Sequence, residues 1–144
     1  MLLRAFGATI APTASPNNRA RIDFPWNLEM GHHASLGEYS WTYALARVSL
    51  GDYACVGQYV FLLTGTHDFD DPAFPLVTLP IEIGKGAWIA ARATVLPGAR
   101  IGDYAVIGAA SVVSQSMPPH TVCAGHPCRP LRPRASSVSS VLSL

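Results

Sequence analysis

Residues 83–112 read IGKGAW IAARAT VLPGAR IGDYAV IGAASV. Together with Val113 they place six aliphatic residues at unbroken six-residue spacing: Ile83, Ile89, Val95, Ile101, Ile107 and Val113. A period of six is neither the 3.6 of a helix nor the 2 of a lone strand. A repeat sets the architecture ahead of local propensity. This one predicts a parallel β-helix built from hexapeptides.

The period continues upstream with interruptions. Met30, Leu36 and Thr42 keep it, and Leu50, Val56 and Leu62 resume it after a two-residue slip. Twelve hexads make about four coils if three form one turn. Four residues after each of these positions stands Ala34, Ser40, Ala46, Ala54, Val60, Thr66, Ala87, Ala93, Ala99, Ala105 or Ser111, and only Met117 departs from small or β-branched types. Glycine follows the aliphatic residue in seven of the twelve hexads, as tight corners favour.

Composition narrows the function classes. A chain of 144 residues is read as one domain. It is 49% hydrophobic, 13% charged and carries a net charge of +1, which suits a body partly covered by sister subunits. Electrostatic nucleic-acid binding needs a basic stripe that this chain lacks. No apolar run approaches the roughly 20 residues of a membrane span. Met1-Leu2-Leu3-Arg4 does not begin a signal peptide, and three cysteines (Cys55, Cys123, Cys128) make no disulfide framework. The expected compartment is a reducing cytoplasm.

Alternation along a strand sends the aliphatic residue and the small residue two places before it inward, and the residue between them outward. Trp41, Cys55, Phe61, Trp88 and His67 take outward slots on this count, with Thr66 inward. Outward aromatics need cover. A closed threefold ring, a homotrimer, would supply it. Residues 1–25, with Pro12, Pro16 and Pro25, are read as an irregular N-terminal cap over one open end of the stack. Residues 26–119 are the coil domain. Residues 120–144 are a returning strand, a basic segment and a loose Ser-rich tail. Between Leu62 and Ile83 the count breaks, and residues 68–80 (DFDDPAFPLVTLP) read as a loop thrown out from the coil. Loops on rigid scaffolds are where function concentrates.

His67 stands at the base of that loop, after Thr64-Gly65-Thr66. A neutral imidazole there can accept a proton from a hydroxyl or amine. The competing reading is a surface histidine that only hydrogen-bonds the loop.

The hexads, the TGTHDF segment, the PIEIG return, GAWI and the AGHPCR ending together resemble the left-handed β-helix acetyltransferases over about residues 24–134. Similarity is greatest to the colanic-acid or exopolysaccharide sugar O-acetyltransferase branch, and extends to the galactoside, maltose and nodulation-factor O-acetyltransferases. The left-handed coil of that family is an exception to right-handed crossovers. The resemblance implies direct transfer from acetyl-CoA, with no metal, to a hydroxyl of a sugar or polysaccharide precursor, in sites between the subunits of a homotrimer. It implies that His67 is the catalytic base, with backbone N–H groups meeting the oxyanion and orientation supplying much of the rate. Asp68, Trp88 and Tyr43 are the implied acceptor-side residues; for Trp88, plain interface packing is the alternative. Ala91, Ala109, Ser114 and Gln115 are implied along the pantetheine arm. Arg129 and Arg132 are implied at the phosphates, which the guanidinium fork suits; otherwise RPLRPR is a solvated basic tail. The chain departs from the family pattern at Ala44, where an acceptor-contacting amide is usual, at His126 in the GHPC segment, and at Gln115, often Lys. Relatives in this branch usually carry further residues before the first coil.

Other readings share the coil. A zinc enzyme of the γ-type carbonic anhydrase kind needs three converging protein ligands. His32 and His33 are neighbours that alternation sends to opposite faces, and His120 and His126 lie beyond the regular coil. A catalytically silent scaffold or assembly module requires neither THD nor GHPCR. Serine or amino-sugar acetylation would use the same base.

Overall fold

The computed structural model describes residues 2–135. Within them short strands wind into a parallel β-helix with three faces. The first face stacks Thr9–Ile10, Leu28–Met30, Val48–Leu50, Ile81–Ile83 and Arg100–Ile101. The second stacks Ser15–Pro16, Ser35–Leu36, Cys55–Val56, Trp88–Ile89, Val106–Ile107 and Thr121–Gly125. The third stacks Arg21–Asp23, Trp41–Tyr43, Phe61–Leu63, Thr94–Val95 and Val112–Val113. Five coils are complete, and the bridge from Met117 to Ile101 opens a sixth that Thr121–Gly125 continues.

The coil count exceeds the four expected because residues 9–23 form the first coil instead of an irregular cap. Ile10, Pro16 and Ile22 occupy the aliphatic slots, and Ile10 is buried with Ala8 and Ala14. Proline is tolerated in this coil because it is the sheet edge, where a missing N–H breaks no ladder. Pro16 sits between the N–H groups of Ser15 and Asn17, which bond to Ala34 and Leu36 of the coil above.

The interior is filled as the period requires. Leu36, Val56, Ile89 and Ile107 stack inside the second face, and Leu62, Val95 and Val113 inside the third, all at most 1% exposed. The small slots Ala34, Ala54, Ala87 and Ala105 are fully buried at the first-to-second corners. Two small slots fail, both at third-to-first corners. Ala46 is half-buried and Thr66 is exposed, while Ala44 and Thr64 are fully buried in their place. The cause is hydrogen bonding: Thr64 Oγ1 donates to the Tyr43 carbonyl (2.8 Å) and accepts from the Ala46 N–H (3.0 Å), and so is satisfied inside.

The extruded loop is ordered. The chain leaves the coil at Gly65, and Gly65–His67 pairs antiparallel with Leu76–Thr78. The Leu79 N–H bonds to the Thr64 carbonyl (2.9 Å) and closes the hairpin at its foot. At the other end Cys128–Pro133 folds back antiparallel on Thr121–Gly125 and widens the second face. Arg134 ties this hairpin to the first-to-second corner through bonds from Nη1 to the Gly86 and Tyr104 carbonyls. The tail expected to be loose falls, from residue 136 on, outside the described residues. Among the described residues no helix is long and apolar enough to cross a membrane.

Candidate functional site

His67 projects from the hairpin at the third-to-first corner and is exposed. Its ring stacks on Phe74 at 4.2 Å between centroids and 8° between planes. Nδ1 lies 2.9 Å from the Phe74 carbonyl oxygen. A carbonyl only accepts, so this contact puts the proton on Nδ1 and leaves the Nε2 lone pair free. The hairpin pairing sets the distance, because His67 stands opposite Leu76 and brings the Phe74 carbonyl to the ring. Nothing in the hexad count signals Phe74; pairing across the hairpin alone makes it a partner.

The predicted acceptor-side residues divide. Asp68 is adjacent, and its N–H bonds to the Pro75 carbonyl (3.0 Å) while its Oδ1 accepts from the Asp70 N–H (3.1 Å). Tyr43 stands at the hairpin foot, with a ring atom 3.5 Å from where a side chain at Gly65 would begin. Trp88 lies on the second face, paired laterally with Cys55 and Val106, and is 40% exposed. In a three-faced coil that face is opposite the corner bearing His67, so one chain does not bring the two together. Ala44 is fully buried, and its carbonyl accepts from Asn27 Nδ2 at 2.8 Å. It therefore does not present a side chain to an acceptor, and its departure from the family pattern falls in the core.

The predicted cofactor residues also occupy several places. Ala91 and Ala109 share the second-to-third corner one coil apart, with the Ala110 N–H bonded to the Ala91 carbonyl (3.0 Å). Gly57 stands one coil below them: a Cβ there would meet the Ile89 carbonyl oxygen at 2.9 Å and the Ala91 nitrogen at 3.1 Å. Ser114 and Gln115 are exposed at the third-to-first corner. Arg129 and Arg132 lie on the C-terminal hairpin, where their Nη1 atoms reach the carbonyls of Cys128 and Pro133 (both 3.1 Å). Among the described residues neither is paired with a carboxylate.

His32 and His33 share one exposed corner instead of opposite faces, because both fall in the turn before Ser35–Leu36. His32 Nδ1 contacts Thr13 Oγ1 at 3.2 Å, and His33 stacks on Tyr53. Among the described residues no group of three His, Cys, Asp or Glu could hold a metal. A groove of about 640 Å³ runs along the first face, away from His67. Two of its lining carboxylates are paired: Arg47 reaches Glu29 and Glu82 (both 3.7 Å), and Arg100 reaches Glu82 (2.9 Å).

Known proteins share this architecture. Residues 80–115 match the family described as bacterial transferase hexapeptide (six repeats). The chain is 36% identical over 136 residues to the Escherichia coli (strain K12) protein named "Putative colanic acid biosynthesis acetyltransferase WcaF", covering 94% of this chain and 75% of that one. A Vibrio cholerae hexapeptide-repeat acetyltransferase solved with acetyl coenzyme A superposes with a TM-score of 0.84 at 26% identity, covering 94% of this chain and 75% of that chain. A maltose O-acetyltransferase from Clostridium difficile 630 gives 0.85 at 28% identity, covering 94% and 74%. The chain belongs to the hexapeptide-repeat acetyltransferases and is an acyltransferase of that family.

Proposed function

We propose that this protein transfers acetyl from acetyl-CoA to a hydroxyl of a sugar or polysaccharide precursor, with His67 as general base. The observation that carries the reading is the contact from Nδ1 of His67 to the Phe74 carbonyl, which reserves Nε2 for a proton. Nε2 takes the acceptor's hydroxyl proton as the oxygen attacks the thioester carbon. The tetrahedral oxyanion is met by backbone N–H donors. Its collapse forms the ester and breaks the C–S bond, and the imidazolium returns the proton to the departing thiolate. No group on the protein is acetylated in this scheme.

The working unit in this reading is a homotrimer. His67 and Trp88 lie on opposite sides of one coil, so a site that uses both takes the hairpin from one copy and the second face from its neighbour. The exposed apolar side chains of the hairpin, Phe69 and Leu76, and the uncharged outward residues Ser35, Cys55 and Trp88 of the second face support that packing. Along the same cleft Ala91 and Ala109 leave room beside the backbone for a pantetheine arm, with Ser114 and Gln115 beyond them. Arg129 and Arg132, which pair with no carboxylate among the described residues, offer guanidinium groups to phosphates. The cytoplasm, where acetyl-CoA is made, is the assigned compartment.

The test is free-thiol release from acetyl-CoA against sugars, nucleotide sugars and serine, comparing wild type with His67→Asn. The asparagine amide can still donate to the Phe74 carbonyl, so the hairpin is kept while the base is removed. Loss of a general base costs about 10²–10⁴-fold in kcat. Acceptor-dependent release reduced by that factor supports the assignment, and full turnover in the variant refutes it. No release with any acceptor, together with no CoA binding by calorimetry, would leave a silent scaffold as the reading.

A further inference from the structure

Beside the foot of the His67 hairpin, the third face carries residues that the repeat does not demand. Its three lower strands, Arg21–Asp23, Trp41–Tyr43 and Phe61–Leu63, are each three residues long, whereas the two above are two long. The longer strands send two side chains outward per coil instead of one. With Phe24 and Trp26 of the connection after Arg21–Asp23, the outward rings Trp41, Tyr43 and Phe61 build a continuous run. Phe61 meets Trp41 edge-on at 5.7 Å, Trp41 meets Tyr43 at 5.4 Å, Tyr43 meets Phe24 at 5.9 Å and Phe24 meets Trp26 at 5.7 Å. Three stacked coils make the run about 10 Å tall.

The far end of the run is held in place although it faces solvent. Trp26 is 60% exposed. It sits in the 3-10 turn Pro25–Asn27, entered through Phe24 in the left-handed region (φ 59°, ψ 58°), a conformation that His33, Tyr39, Tyr53 and Tyr59 also take at corners of the coil. Asn27 Nδ2 clamps the turn to the carbonyls of Ala44 and Leu45 (2.8 and 3.3 Å). Gly7 leaves space for it, since a Cβ there would stand 3.0 Å from that of Trp26. Polar groups are fixed among the rings: Trp41 Nε1 donates to Asp23 Oδ2 (2.9 Å), and Arg21 pairs with Asp23 (3.0 Å) while lying 4.5 Å over the Trp41 ring.

We propose that this run is an acceptor track that seats an extended glycan of several pyranose units, with its terminal unit at His67. The inference rests on the sugar O-acetyltransferase reading and adds to it the length of the acceptor. Pyranose rings present C–H faces that stack on aromatic side chains and hydroxyl rims that bond to fixed charges. The third face offers both within one surface. A second copy of this chain is the poorer occupant, because a dry subunit contact would desolvate the Arg21–Asp23 pair. The lower strands of the second face, with Ser35, Cys55 and Trp88 outward, hold no charged side chain there and meet no such cost. The track reaches the hairpin at Tyr43, beside Gly65, whereas Ala91 and Ala109 lie on the next corner and higher in the stack.

The probes are galactose and β-1,4-linked galacto-oligosaccharides of two to five units. Binding without acetyl-CoA is read by intrinsic tryptophan fluorescence, turnover by thiol release and assembly by light scattering. Affinity and kcat/KM are expected to rise with length. Trp26→Ala should lower the ratio of pentasaccharide to galactose kcat/KM about ten-fold, which is about 1.4 kcal/mol. Trp26→Tyr, which keeps a stacking ring, should restore most of it. Length-dependent binding lost in Trp26→Ala, even where no sugar is acetylated, supports the track and counts against the transferase reading instead. Turnover without length dependence in binding or kcat/KM overturns the track and spares the transferase. A changed oligomeric state in Trp26→Ala or Phe61→Ala also overturns it, by assigning the face to a second copy.

Discussion

Thr42 and Thr64 make opposite predictions from the same chemistry. Both are fully buried on the third face or its corner. Thr42 stands in an aliphatic slot, stacked between Ile22 below and Leu62 above, and its Oγ1 has no hydrogen-bond partner among the described residues. Thr64 Oγ1 has two, the Tyr43 carbonyl and the Ala46 N–H. A buried polar group without a partner costs about 1–3 kcal/mol. Valine has nearly the same shape, so Thr42→Val removes that cost without opening a cavity. It should stabilise the fold by about 1–2 kcal/mol. For a chain of this size that raises Tm by about 3–6 °C. Thr64→Val takes the partner from the N–H of half-buried Ala46 and should destabilise by about 1 kcal/mol. Calorimetric melting of both variants and wild type at one protein concentration is the assay, since assembly makes Tm concentration-dependent. A lower Tm for Thr42→Val would refute the reasoning, by showing that its hydroxyl holds a bond inside the coil. Equal shifts for the two variants would do the same.

Other expectations concern the corners, thiols and pH. Gly37→Ala would set a Cβ 2.5 Å from the Gly57 carbonyl carbon and 2.6 Å from the Gln58 nitrogen, so it should cost about 1–3 kcal/mol in melting experiments. Cys55 is exposed on the single chain while Cys123 and Cys128 are buried, so a disulfide reagent should titrate one thiol in a dissociated native chain, none where the neighbour's hairpin covers the second face, and three in denaturant. Burial, and then the neighbouring Cys128, push the Cys123 thiol up to about 11 from 9.0. Between those values the unfolded chain sheds this proton first, so denaturant midpoints should fall as pH rises above 9.0. At Asp23 burial acts to raise the carboxyl, but bonds from Arg21 and Trp41 with the Arg21 charge outweigh it and hold the group below its ordinary 3.8. Its stabilisation is therefore complete above 3.8 and lost as pH falls through the lower folded value. The advantage of wild type over Asp23→Asn, under about 1 kcal/mol at this surface site, should shrink in that acid range.

The coil is legible in the residue order, because each hexad is one side of a turn and its inward residue is chosen locally. Ile83 to Val113 state that period without a break, and their burial follows it residue by residue. Ile10, Ala14, Pro16, Ala20 and Ile22 carry the same period in the first coil, where Pro12 and Pro16 disguise it. His67 was legible as a candidate because it follows the last regular hexad before the chain leaves the coil. The remaining features are set by contacts made one coil apart or across the hairpin. Phe74 fixes the His67 tautomer through a carbonyl seven residues away. Thr64, not Thr66, turns inward because its hydroxyl finds the Tyr43 carbonyl 21 residues back. Ala44 is core and Trp26 is presented to solvent for the same reason: Asn27 bridges two coils. The separation of His67 from Trp88 onto opposite sides of the coil follows from which face each strand joins. A six-residue period fixes that order only once the slips at the corners are closed by hydrogen bonds.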